Sequence, residues 1–402
     1  MTPLGNLFGA GHRVFFLAAG LFGTFAMLVW ELHLAAMMLG SAAFSERVAL
    51  PPLWHGHEMV FGYGVAALGG YLLMAPPPFV RGTPQGFLTL AFALWLLGRV
   101  ALWFAPLLPP VLVAAADLAF LLLLAGTIAA REIRRPKGQN RVFLAAIATI
   151  WIGNLLVHLE WNGVGLTALG GLRLGILGLC ALIAVLGGRL TPGFTRNAMK
   201  RAGADARLWP RSPAWIERPA LLLVAALPAG QLLFLPDSVL GALAVAAGAA
   251  HLRLSWFWRP LASRHEPILW ALHMGVTMLG AGFVLWGLAL LGLGDEIAAL
   301  HVLGIGAIGG MTLAVMSRTI LGHAGREQIA PAPVAAAYGL VAGAAILRWL
   351  AMLLPPAGQW GAMLLSGACW TVAFALFTLS LGPVLAATRA ERTTRSENPG
   401  QR

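Results

Sequence analysis

The sequence predicts an all-α, polytopic membrane protein of about twelve transmembrane helices, one membrane domain over residues 1–402 with both termini cytoplasmic. Three observations predict it. Of the 402 residues, 59% are hydrophobic and only 10% are charged, whereas a soluble globular protein carries about 25% charged residues. The apolar residues gather into stretches of the roughly 20 residues that a helix needs to cross a bilayer. The basic residues, 27 Lys and Arg against 15 Asp and Glu, collect in alternate connections between those stretches.

The predicted spans lie near 14–40, 54–75, 86–104, 111–130, 141–161, 165–187, 219–235, 238–257, 267–292, 296–317, 332–354 and 359–388. No cleavable leader precedes the first, so the segment from Val14 reads as a retained span. Basic residues resist translocation and fix the orientation. With the N-terminus inside, 23 of the 27 fall on cytoplasmic segments, ending with Arg389 to Arg402 on a tail, 389–402, that reads as disordered. Outer connections carry Arg47 beside acidic Glu46, Asp237, Asp295 and Glu296. The net charge of +12 therefore reports topology, and no soluble basic face exists for nucleic acid. Cys180 and Cys369 sit inside apolar stretches, which excludes a disulfide framework or thiolate cluster. A weak repeat suggests three units of four helices in a pseudo-threefold arrangement. Gly64 to Gly70 in the second span resembles Gly304 to Gly310 in the tenth, and Leu174 through Arg189 in the sixth parallels Leu303 through Arg318.

Three arginines remain, Arg99, Arg173 and Arg348, each inside a span in its outer half. A charge there costs a few kcal/mol or more unless paired, so a functional partner or snorkelling to the headgroups is expected. Ten histidines against two lysines is an unusual allocation for a membrane protein, because imidazole gains nothing from lipid yet ligates haem iron and copper. They fall into two layers. His33, His55, His57, His158 and His301 lie near outer span ends, whereas His251 and His273 lie two turns from the inner ends and His12, His265 and His323 at the inner boundary.

The densest group is Trp54-His55-Gly56-His57-Glu58-Met59. Helical residues two apart point away from each other, so His55 and His57 serve two centres unless Gly56 frays the turn. Glu58, Glu31 beside His33, and Glu160 beside His158 are placed to orient imidazoles through the second ring nitrogen. For a haem, the outer arginines Arg99, Arg173 and Arg348, or the inner Arg189, Arg196, Arg318 and Arg326, would meet propionates. A hydrated helix start, helix–helix packing and topology account for the same residues without a ligand. No covalent-haem Cys-x-x-Cys-His, phosphate loop or His-Glu-x-x-His motif is present, which removes support for ATP-driven transport and zinc proteolysis.

Trp54-His55-Gly56-His57-Glu58-Met59 with Phe61-Gly62, Leu94 to Arg99, Gly187-Gly188-Arg189 with Phe194 to Asn197, and Met316-Ser317-Arg318 through Leu321 to Arg326 resemble the NnrS family over nearly the whole chain. The resemblance implies a bacterial inner-membrane protein with haem b and copper, acting in nitric oxide metabolism or nitrosative stress. By matching position it favours His55, His57, His158, His273, His301 and His323 as haem or copper ligands; His33, His251 and His12 are weaker metal candidates. The partners it implies are the lipid bilayer, nitric oxide or a related small molecule, and an electron donor such as quinol. The implied activity is that of a membrane oxidoreductase acting on nitric oxide. The alternatives are a secondary transporter of a small anion, given twelve spans and three intramembrane arginines, and a haem or copper delivery protein.

Overall fold

The computed structural model describes residues 3–40, 51–75, 78, 80 and 84–387. Arg47, Glu46, Arg81 and the 389–402 tail lie outside the described residues. Long apolar stretches with small residues at contact points favour helices in lipid, where each backbone polar group must bond within its own segment. Among the described residues the structure is accordingly helical, with no strand.

After a short turn of helix, Pro3–Leu7, twelve long helices follow. They are α1 (Gly11–Met38), α2 (residues 51–72), α3 (Gln85–Trp103), α4 (Pro110–Arg134), α5 (Gly138–Trp161) and α6 (Ala168–Arg201). The second half comprises α7 (Ala214–Leu232), α8 (Asp237–Phe257), α9 (Pro267–Leu290), α10 (Glu296–His323), α11 (Ala332–Ala351) and α12 (Pro356–Ala386). Ten are long and apolar enough to cross a membrane. The other two are α2, which is π-helical in the middle, and α7, which carries Pro219 and Pro228. The chain is a multi-pass membrane protein.

Each predicted span coincides with one helix, with two differences at the ends. The sixth continues through Pro192 to Arg201, which at 1.5 Å per residue makes α6 about 50 Å long, well beyond a hydrocarbon core of about 30 Å. The tenth continues to His323. Arg189, Arg196 and Arg318 therefore stand on helices that project past the apolar layer, and not on loops.

The helices pack in a pattern that recurs every four. The glycine-rich α2, α6 and α10 touch one another pairwise, while α4 packs on α5, α8 on α9 and α12 on α1. Likewise α3 packs on α4, α7 on α8 and α11 on α12. This is the neighbour relation that three units of four helices require. Two of the three central helices widen into π-helix, over Glu58–Gly64 in α2 and Val302–Gly309 in α10. Such turns are uncommon and frequently mark functional sites, because they rotate the following side chains and loosen the carbonyl ladder. Both lie just after a histidine, His57 and His301.

Candidate functional site

The start of α2 distributes its polar residues to opposite sides. The helix runs unbroken through Gly56, so His55 and His57 diverge as the periodicity requires.

His57 enters a buried polar network between α2, α3, α4 and α5. Its members are His57, Glu58, Arg99, Asp117, Asn154 and His158, each at most 6% exposed. His57 Nδ1 lies 3.0 Å from Glu58 Oε1, as expected of a carboxylate orienting an imidazole. Arg99 donates to Glu58 at 2.6 Å and to Asp117 Oδ1. Asp117 Oδ2 also accepts from Asn154 Nδ2 at 2.8 Å and meets His158 Nε2 at 2.9 Å and His57 Nε2 at 3.1 Å. Because Asn154 donates to Asp117, its Oδ1 is the acceptor 2.7 Å from His57 Nε2; with Glu58 at Nδ1, both ring nitrogens face acceptors, and a neutral ring can donate to only one side.

One nitrogen each of His57 and His158 and one oxygen of Asp117 lie within 4.8 Å of one another, a grouping that could hold a metal ion. Two imidazoles and a carboxylate suit a divalent transition metal. With neutral imidazoles the network holds two carboxylates against one guanidinium, and a bound cation would remove that imbalance. A metal at Nε2 would leave the His57 hydrogen on Nδ1, donated to Glu58, and would displace the His158 Nε2 hydrogen that faces Asp117.

His55 faces the other way, into a cavity of about 500 Å³ between α1, α2, α6, α10, α11 and α12. That size falls within the roughly 300–1,000 Å³ typical of ligand and cofactor sites. His301 also lines it, and the two rings are nearly parallel, 15° apart, with centroids separated by 6.4 Å. His301 Nδ1 lies 2.6 Å from the Ile297 carbonyl, so Nδ1 is the donor and Nε2 keeps its lone pair. His55 Nδ1 and Arg348 Nη1 are buried without a hydrogen-bond partner, and Arg348 lines the same cavity. Trp30 stacks on His55 at 4.6 Å and on His33 at 5.3 Å, which places His33 at the end of a ring stack rather than on the cavity wall.

The intramembrane arginines thus have different environments. Arg99 is held by Glu58 and Asp117, and Arg173 by Glu296 through two bonds of 2.6 Å, with Trp286 Nε1 donating to the same carboxylate at 3.0 Å. Both meet protein carboxylates where propionates were expected. Arg348 is the one of the three turned to the cavity. Truncating Glu296 to alanine strands a guanidinium and an indole N–H, and is expected to cost about 1.5–3 kcal/mol of stability, read as a lower apparent melting temperature.

The other candidates separate likewise. Glu160 accepts from the Ala168 backbone N–H at 2.7 Å, capping α6, so it braces the connection instead of orienting His158, whose partner is Asp117. Glu31 Oε1 is buried without a hydrogen-bond partner. At the opposite end, His273 Nε2 meets Thr195 at 2.9 Å and His251 Nδ1 meets the Ala247 carbonyl at 2.9 Å. His12 stacks on exposed His323 at 4.5 Å. Arg318 lies 3.5 Å over the Phe194 ring, Arg189 and Arg196 bond Gln139 and the Pro210 carbonyl, and Arg326 is exposed. Among the described residues, no third ligand joins any inner histidine in a compact metal-binding group.

Asp117 and Asn154 were not singled out in the sequence. The signal was present, because a lone carboxylate seven residues into an apolar span needs a partner as much as an intramembrane arginine does.

With this geometry in hand, the family comparison is informative. The family model described as NnrS protein matches residues 6–389. No curated protein matches the chain. A match of that extent takes in all twelve helices, the buried network and the cavity, and on it the chain belongs to the NnrS family.

Proposed function

We propose that the protein holds b-type haem in the His55–His301 cavity and copper at His57, Asp117 and His158, and acts from the bacterial cytoplasmic membrane in the response to nitric oxide. The observation that carries the haem reading is the meeting of two parallel imidazoles and a guanidinium whose Nη1 has no hydrogen-bond partner in one cofactor-sized cavity. His55 and His301, on the wall of the same cavity, are the residues that would hold the iron through imidazole nitrogen. Arg348 supplies the cation for a propionate. The donor set of the buried network supports the copper, and family membership supports nitric oxide as the ligand or substrate.

When bound, haem and copper supply one-electron redox chemistry and affinity for the gas. The chain itself positions them. The His301 Nδ1 bond to Ile297 fixes the tautomer and aims Nε2, and Glu58 does the same for the His57 ring. Trp30, Met59 and Trp370 give the cavity apolar wall. Electrons would come from a donor in the bilayer, of which a quinol is the simplest class.

The test is an optical spectrum of the purified protein, oxidised and dithionite-reduced, with pyridine haemochrome and metal analysis on the same sample. A b-type spectrum that shifts on addition of nitric oxide, with stoichiometric iron and copper, is the expected result. A colourless protein without iron or copper, from cells supplied with both, would overturn it. Arg348, with its Nη1 free of a hydrogen bond on the cavity wall, would then favour transport of a small anion.

A further inference from the structure

Three cavities lie in a row along the central helices α2, α6 and α10. The first is the His55–His301 cavity. The third, about 470 Å³, lies at the opposite end and is lined by Arg318, His323 and Gln328. Between them is a throat of about 70 Å³. It shares Ile308 with the first cavity, and Tyr71, Leu190 and Val315 with the third.

The throat wall is almost wholly apolar, formed by side chains such as Ala67, Leu68, Leu179, Leu182 and Met311. Thr312 and Tyr63, at its border with the first cavity, bond each other. Thr312 Oγ1 donates to the carbonyls of Ile308 and Gly309, at 2.7 and 3.1 Å, within and at the end of the π-helical turn of α10. Tyr63 donates in turn to Thr312 at 2.5 Å. Tyr63 lines the first cavity, and its ring is clamped edge-on by Trp370 and Phe374, with centroids 5.3 and 5.1 Å away. The carbonyls of Ile308 and Gly309 are thereby occupied, and the bonded hydroxyl pair forms the throat's seam with the first cavity.

An ion entering such a space would lose its hydration with nothing to replace it, at a cost of many kcal/mol. Water needs two to four polar partners and does not find them, whereas apolar cavities of this kind stay dry and take up apolar atoms such as xenon. We propose that the throat is a binding site for a small uncharged, apolar molecule of the diatomic-gas class, placed to relay it between the two larger cavities. The apolar wall and the closed Tyr63–Thr312 seam select against ions and water. The site does not rest on the metal assignment above, because its walls contain none of the proposed ligands.

Xenon is the probe, applied under pressure to the full-length, metal-free protein and followed by xenon NMR. Saturable uptake by the unaltered protein is expected, lost in Ala67→Met, which fills the throat, and increased severalfold in Leu182→Ala, which enlarges it. If Ala67→Met does not fold, Leu182→Ala alone decides. Absence of saturable uptake in both the unaltered protein and Leu182→Ala, or uptake that neither substitution changes, would overturn the proposal. The measurement reads no haem or copper, so its failure leaves the metal reading standing, and failure of the metal reading leaves this one.

Discussion

Replacing His301 by alanine is expected to empty the cavity of haem, with the haem-to-protein ratio falling at least about tenfold, the lower end of what removing even an outer supporting group costs a metal site. His55→Ala is expected to do the same. The two ring centroids are 6.4 Å apart in the same cavity, and removing either takes away one of the nitrogen donors that would hold the iron. Arg348→Leu is expected to weaken retention less, because it removes one charge-assisted contact and no metal bond. His265→Ala is the control, since that ring is exposed and accepts a bond from its neighbour Arg264 at 2.8 Å. Reduced-minus-oxidised spectra of the four variants at equal protein concentration decide the matter. Full haem content in both His301→Ala and His55→Ala would remove the assignment.

What the sequence revealed here and what it concealed follow from different physics. Hydrophobic runs of bilayer length located all twelve helices, because in lipid the backbone has no alternative to helix. The end of α6 was hidden, since Arg189, Pro192 and Arg196 look like a loop when only hydropathy is considered, although helix continues through them. The π-turns were hidden for the opposite reason. Residues 302–309 are apolar on every side, so no periodicity records a change of pitch. The divergence of His55 and His57 was legible, because two residues of helix fix it geometrically. The pairing of the arginines was not. Arg173 finds Glu296 across 123 residues of sequence, and Arg99 finds Asp117 on the next helix, so their partners are set by packing and not by spacing. That pairing is also what singles out Arg348. Three charges at one depth looked equivalent in the sequence, and in the structure Arg99 and Arg173 form ion pairs whereas Arg348 lines the cavity.

Asp117→Ala is expected to be the most destabilising single change in the buried network. The carboxylate accepts from Arg99, Asn154, His57 and His158, and all five side chains are buried. Removing it leaves a guanidinium with Glu58 alone, and Asn154 Nδ2 and His158 Nε2 short of an acceptor. Breaking a buried ionic network from one side costs about 3–5 kcal/mol, a large share of a total stability of about 5–15 kcal/mol. Low yield and a markedly lower apparent melting temperature in detergent are the expected readings. Asp117→Asn keeps the shape and one acceptor oxygen, so a smaller loss of stability is expected, together with a lower copper-to-protein ratio because the anionic ligand is gone. Combining Asp117→Leu with Arg99→Met removes both charges and is expected to recover part of what Asp117→Ala loses, since the penalty lies in the unpaired charge more than in the missing pair. A melting temperature for Asp117→Ala equal to that of the unaltered protein would show that water reaches the network and solvates the freed groups. The same result would undercut the copper assignment, because a site so easily wetted would not need a cation to balance its carboxylates.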